Sequence, residues 1–248
     1  MPLDVLKEVQ AEFLDFNHTG MSIVEISHRS AAYQDMQDDT VAALKRLMQI
    51  PEGYHVIFMQ GGGSMQFLMH GANFLKNRGG YLNTGVWSDK AMKAAAYYGE
   101  VYEVASSKED HFSYIPDERT FAVKDGTDYV YMTSNNTIHG TEWKTFPHFD
   151  VPLICDMSSD FLSRPVDVSN FDYIYAGVQK NVGPAGVVVG IIKDDMLQKA
   201  REDLPAMLSY RTFVKHDSTY NTPPVFCIYF VNRVLHWIED QGGLQAIR

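Results

Sequence analysis

Short apolar runs, each closed by a polar or glycine residue and separated by segments of helical period, constrain this chain more than any other feature. His55–Met59, Tyr81–Thr84, Val101–Ala105, Tyr129–Thr133, Leu153–Asp156, Tyr173–Ala176 and Gly186–Ile192 read as strands. Between Tyr33 and Met48, Val41, Leu44 and Leu47/Met48 recur at helical spacing, and Pro51 stops the helix. A helical MQFLMHGANFL stretch follows Gly61-Gly62-Gly63-Ser64, and Ser88 is expected to cap an alanine-rich helix running through Tyr98. Pro223 and Pro224 open a last helix in which Phe226, Phe230, Val234 and Ile238 step by four onto one face, as core residues do. Strands alternating with helices predict an α/β domain with a largely parallel sheet. In such sheets ligands gather at the carboxyl ends of the strands.

Composition narrows the partners. The 248 residues are 45% hydrophobic, ample for a buried core. They carry 21 basic against 31 acidic side chains, a net charge of −10 that argues against binding nucleic acid. The two cysteines, Cys155 and Cys227, cannot build a disulfide framework, and such scarcity suits a reducing, cytoplasmic compartment. The first residues, MPLDVLKEVQAEFLDF, lack a signal-peptide core, and the longest apolar stretch, Gly186–Ile192, is too short to span a bilayer. No membrane contact is expected. The histidines, His139 and His148 among them, show no metal-ligand spacing.

Three features carry chemistry. Gly61-Gly62-Gly63-Ser64 lies between a strand and a helix, where free backbone N–H groups and the helix dipole attract an anion. The same glycines would serve equally as a tight βα turn. The dinucleotide fingerprint fits poorly, because its third glycine would fall at Gln66. Asp156 ends the apolar run VPLIC, where a carboxylate must find a cationic or hydrogen-bonding partner, a turn cap being the simpler reading. Lys180 follows another apolar strand; it is either a solvated strand-end lysine or a desolvated amine poised as a nucleophile. A strand-end acid, a later strand-end lysine and an upstream anion cup match the needs of pyridoxal phosphate: an acid at the pyridine nitrogen, an amine for the Schiff base and a phosphate site.

Six strings spread in order along the chain sharpen this reading: EISHRS (25–30), GGGSMQF (61–67), SNNTIHGTEW (134–143), DMSSDFLSRP (156–165), YAGVQKNVGPAG (175–186) and NTPPVFCIY (221–229). Together they closely resemble the phosphoserine aminotransferase family of class-V pyridoxal-phosphate enzymes. The resemblance implies an aspartate-aminotransferase-like large domain (fold type I), with a mainly parallel mixed sheet flanked by helices. It implies transamination between O-phospho-L-serine and 2-oxoglutarate, giving 3-phosphooxypyruvate and L-glutamate in serine biosynthesis, with a link to pyridoxine biosynthesis. Lys180 would hold the cofactor and shuttle a proton, and Asp156 would pair with the pyridine nitrogen. Trp87 would stack on the ring and Thr137 would hydrogen-bond the cofactor. Gly63, Ser64 and Gln179 would bind the phosphate, together with Asn221 and Thr222 from the other subunit of a homodimer with shared sites. Arg29, assisted by His28, would take the distal acidic group of the substrate. Some family members carry an arginine directly after the glycines; here Ser64 stands there.

Against that family the chain is expected to lack the extreme N-terminal segment and the C-terminal small domain. Residues 1–240 would form the cofactor-binding large domain, with 1–30 as an arm carrying SHRS, and 241–248 would begin the small domain. These residues alone are then expected to keep the cofactor site and lose most transamination, since orientation contributes heavily to rate. The alternatives are another class-V pyridoxal-phosphate enzyme, or a cofactor-binding and dimerisation module without activity.

Overall fold

The structure, a computed structural model, describes residues 1–247. Two helices open the chain, α1 (Leu3–Glu12) and α2 (Ala31–Met48). Ser30 accepts a bond from the Tyr33 N–H (3.3 Å) and so caps α2, while Gln49 ends it in the left-handed conformation just before Pro51. Next come β1 (Tyr54–Met59), α3 (Gly62–Phe74), β2 (Arg78–Asn83), α4 (Val86–Ala95), β3 (Glu100–Ser106) and β4 (Thr127–Thr133). A small hairpin of β5 (Asn135–Asn136) and β6 (Thr141–Glu142) precedes β7 (Leu153–Asp156), β8 (Tyr173–Gly177) and β9 (Val188–Lys193). The chain closes with the short helices α5 (Asp194–Gln198) and α6 (Tyr210–Lys215) and the long α7 (Val225–Asp240).

Every apolar run read as a strand is one, to within a few residues at its ends. The seven pair in the order β1-β9-β8-β7-β4-β2-β3. β9 is antiparallel to both β1 and β8, and the other pairs are parallel, which makes the mainly parallel mixed sheet of the expected fold class. Helices cover both faces, as burial of a parallel sheet requires. Phe58, Leu82, Val130, Met132, Ile174 and Val189 pack toward α1, α2 and α7. Tyr81, Tyr129, Tyr131, Tyr173 and Tyr175 pack toward α3, α4 and α6.

Three expectations are corrected locally. Ser88 is not the cap of α4: the helix starts at Val86, and Ser88 reaches back to accept the Thr84 and Gly85 N–H groups (both 3.1 Å). α4 also ends at Ala95, short of Tyr98. The buried face of α7 is wider than a step of four: Ile228, Tyr229, Val231 and Leu235 are buried beside Phe230, Val234 and Ile238. Phe226 is only half-buried and packs edge-on against Phe13. α7 is buried broadly because α1 and α2 both lie against it. No helix among the described residues is long and apolar enough to cross a membrane.

Candidate active site

Three neighbouring strands, β8, β7 and β4, end side by side, and their carboxyl ends form the floor of an open cleft. Phe67, Thr133, Asn135, Asp156, Gln179 and Lys180 line it, with Ser158 and Ser159 beyond β7, Gly63 and Ser64 in the first turn of α3, and Trp87 in the first turn of α4. The cleft measures about 510 Å³ including its open mouth, a size usual for small-molecule sites.

The glycine run makes the anion cup by conformation. Gly61 and Gly62 have φ of +89° and +65°, a region that favours glycine, and this bend turns the chain from β1 into α3. A side chain on Gly61 would drive into Met65, with its Cβ 2.7 Å from that of Met65. The N–H groups of the first helical turn, Gly63 and Ser64 among them, have no intrahelical acceptor and point outward from the helix start.

Asp156 closes β7 and is 5% exposed. Its Oδ1 accepts the Ser158 N–H (2.9 Å), and the Ser158 Oγ accepts the Gly177 N–H (2.9 Å), so one serine ties the acid to the end of β8. Burial pushes the carboxyl above its ordinary range, while the bond from Ser158, the nearby Tyr175 phenol and the Lys180 charge pull the other way. Lys180 lies in the turn after β8, which the Val182 and Gly183 N–H groups close on the Val178 carbonyl (both 3.0 Å). Its Nζ sits 5.5 Å from the centre of the Trp87 ring, and the Lys90 Nζ lies 4.9 Å from the same ring. Lys180 is exposed, so the desolvated amine is corrected: this chain's own side chains leave the lysine at the open mouth.

Two buried polar atoms of the cleft wall are left without partners. The Trp87 Nε1 and Thr133 Oγ1 are both buried in its wall and make no hydrogen bond. Such atoms cost free energy unless something bonds them. A flat group bearing a phosphate and a ring nitrogen fits this donor set: N–H groups for the phosphate, a carboxylate for the nitrogen, an indole wall and an amine.

The structure thus brings together Gly63, Ser64, Trp87, Asp156, Gln179 and Lys180. The other expected residues stand outside the cleft wall. Thr137 is exposed in the turn between β5 and β6, two residues beyond Asn135. Asn221 donates to the Gln60 Oε1 (3.1 Å), and the Gln60 Nε2 donates to the Thr222 carbonyl (2.9 Å), so both attach one residue before the glycine run. Arg29 is exposed and His28 partly buried in the turn before α2. Sequence reasoning missed Phe67, Thr133, Asn135, Ser158 and Ser159. A usable signal was present for three of them: Thr133 ends β4 as Asp156 ends β7, and the two serines directly follow that acid. Cys155 lies buried on the opposite face of the sheet, as strand alternation from Asp156 predicts.

A βα-turn anion cup, a strand-end acid and a later lysine on a mainly parallel sheet define a class of group-transfer enzyme, and comparison with known proteins supplies its family. The chain belongs to the class-V aminotransferases, whose family profile it matches over residues 1–248. It is 50% identical over 249 aligned residues to the phosphoserine aminotransferase of Geobacillus kaustophilus, covering all of this chain and 69% of that relative. Among solved structures it resembles the phosphoserine aminotransferase of Bacillus circulans subsp. alkalophilus, with a TM-score of 0.97, 48% identity and coverage of 100% and 69% of the two chains. The pyridoxal-phosphate-bound phosphoserine aminotransferase of Trichomonas vaginalis matches with a TM-score of 0.95 at 38% identity, over 100% of this chain and 74% of that one.

Proposed function

We propose that this chain acts in the transamination between O-phospho-L-serine and 2-oxoglutarate, with pyridoxal phosphate as cofactor, giving 3-phosphooxypyruvate and L-glutamate. The observation that carries the reading is the convergence of Asp156, Lys180, Trp87 and the start of α3 on one cleft. The identity to phosphoserine aminotransferases along the whole chain supports the choice of substrate.

Bound pyridoxal phosphate supplies an electron sink for the substrate carbon that carries the amino group. The Gly63 and Ser64 N–H groups and the Gln179 amide hold the phosphate. Asp156 keeps a proton on the ring nitrogen, and the indole of Trp87 walls the ring and excludes water from one side. The Lys180 amine first holds the cofactor and then moves a proton at the substrate α-carbon. Thr137 reaches the cofactor from the β5–β6 turn. Arg29, with a forked and permanently charged guanidinium, takes the distal phosphate or carboxylate of the substrate, with His28 beside it.

Asn221 and Thr222 complete the phosphate site of a second copy in a homodimer. Their attachment outside their own chain's cleft supports this, as do the exposed apolar side chains of Met65 and Tyr220 next to the glycine run and this loop. Two free cysteines, one of them buried, suit the cytoplasm, where the reaction would feed serine biosynthesis and pyridoxine biosynthesis.

Borohydride reduction of the chain loaded with pyridoxal phosphate, followed by peptide mass mapping, tests the reading. A pyridoxyl group on Lys180, absent from Lys180→Ala, is expected. Label on another lysine, or none, overturns the assignment.

A further inference from the structure

The hairpin that carries Thr137 and the helix start that carries Trp87 meet at one side chain that the proposed chemistry does not use. Asn136, on β5, is 1% exposed. Its Nδ2 donates to the Thr84 Oγ1 (3.1 Å), in the turn between β2 and α4, and to the Thr141 Oγ1 (3.3 Å), on β6. Its backbone carbonyl accepts the Gly140 N–H (2.8 Å) and the His139 N–H (3.1 Å), which closes the turn that contains Thr137. One residue therefore shapes the hairpin through its main chain and grips the neighbouring turn through its amide.

Gly85 shows how closely the two segments approach. Its backbone is extended (φ 175°), a conformation open to any residue, so strain does not call for glycine there. Space does: a Cβ on Gly85 would lie 2.4 Å from the Asn136 Oδ1. That oxygen is buried and accepts no hydrogen bond, a cost that an amide placed only for stability would avoid. Gly85 caps α4, its carbonyl accepting the Asp89 N–H (3.0 Å), and Ser88 folds back onto the Thr84 and Gly85 N–H groups. Thr84, Gly85 and the first turn of α4 thus form one knot, and whatever sets Thr84 and Gly85 sets the indole two residues on.

We propose that Asn136 is a positioning residue for the cofactor pocket: its amide locks the β5–β6 hairpin to the turn before α4 and so fixes Trp87 and Thr137 with respect to each other. This rests on the reading of Trp87 as the wall of the cofactor ring and of Thr137 as a second contact. Asn136 stands outside the cleft wall and acts only through those two residues. Holding them in place in the empty protein removes ordering that binding would otherwise require.

The test has an arm without cofactor and an arm with it. In ¹⁵N-labelled protein without cofactor, the Trp87 indole N–H signal is assigned by its loss in Trp87→Phe. Asn136→Ala should shift that signal and leave the Trp237 signal, from α7, in place. Thr84→Val should shift it as well. With pyridoxal phosphate added, Asn136→Ala should lower affinity about fivefold, the worth of one hydrogen bond, and Thr84→Val in the same chain should lower it no further. Gly85→Ala should weaken binding more than Asn136→Ala does, and combining the two should restore the level of Asn136→Ala alone, because the amide that blocks the new Cβ is gone. A folded Asn136→Ala with an unmoved Trp87 signal overturns the inference, and so does a Gly85→Ala defect that Asn136→Ala leaves unrelieved. If Asn136→Ala does not fold, Thr84→Val decides by the same signal. A wild-type chain that binds no pyridoxal phosphate sinks the cofactor reading instead, and the cofactor-free signal still decides whether Asn136 sets Trp87.

Discussion

The two faces of the central sheet hold the same strands and solve the packing problem with different chemistry. On the central strands β4, β7, β8 and β9 the contacts toward α2 and α7 are aliphatic and sulfur-bearing, through Val130, Met132, Cys155, Ile174 and Ile191. Toward α3 and α6 the layer is phenolic and its hydroxyls bond one another. Tyr81 bonds Tyr129 (2.7 Å) and the His70 Nε2 (2.9 Å), and Tyr173 and Tyr210 both donate to the Gln66 Oε1 (2.8 Å). The His70 Nδ1 lies 2.7 Å from the Gln66 carbonyl, which can only accept. That nitrogen therefore carries the proton, Nε2 accepts from Tyr81, and Tyr129 donates to Tyr81. An aliphatic layer stabilises through area and fit, and it tolerates exchange among shapes of equal volume. A phenolic layer stabilises only when every hydrogen bond is made, and in return it fixes orientation. The oriented face is the one that carries Asp156.

The largest expected effect lies on the aliphatic face. Ile174→Ala should cost about 2–5 kcal/mol through the cavity it leaves, read as a fall in the urea midpoint with unchanged slope. A loss below about 1 kcal/mol would mean that this face collapses to fill the space, and the contrast between the faces would fail.

Next comes acid sensitivity of the phenolic face. Burial lowers the His70 pKa from 6.5 to about 4. The folded protein therefore binds that proton less readily than the unfolded chain does. The corresponding stability is complete above pH 6.5 and is lost as the pH falls toward 4, in total about 3 kcal/mol. His70→Gln should flatten that slope, and persistence of the slope in the variant would assign it to other groups.

Asp160 sets the opposite sign at the margin of the aliphatic face, where its charge adds to the burial that raises the pKa of the Cys155 thiol. Desolvation is the main cause that lifts its own carboxyl from 3.8 to about 6. Its folded pKa is raised, so its contribution is complete below pH 3.8 and lost as the pH rises through 6. Asp160→Asn should therefore stabilise the protein at pH 7 by about 1–3 kcal/mol and leave it little changed at pH 4. Equal effects at both values would show that the Ser134–Asp160 bond, and not the charge, governs the site.

The smallest effect is Tyr81→Phe, expected to cost about 1–2 kcal/mol by leaving the His70 Nε2 and the Tyr129 hydroxyl unpaired. Adding His70→Phe should then cost less than it does in the wild-type background. Additive losses would mean that the phenols act singly.

These contrasts bear on what could be read in advance. Strands were legible because a run such as Leu153–Asp156 has to be apolar to lie inside a parallel sheet, and Asp156 and Lys180 were legible as polar residues directly after such runs. The short helices α5 and α6 and the β5–β6 hairpin carried no comparable period. The exposure of Lys180 was not legible either, since burial depends on which neighbours a turn meets. Phe67 and Tyr175 gave no separate signal, because each is an ordinary helix or strand residue until the packing and register put it beside the cleft.

By itself the sequence determined the alternation of elements, the glycine bend before α3 and the acid and lysine at strand ends, because backbone conformation and burial act on neighbours in the chain. Only the tertiary structure decided that β4, β7 and β8 end side by side, that Trp87 faces Lys180, and that the Tyr131 and Tyr175 phenols meet beneath Asp156. Those facts depend on strand order and register, which couple residues distant in sequence and leave no periodic mark on any one segment.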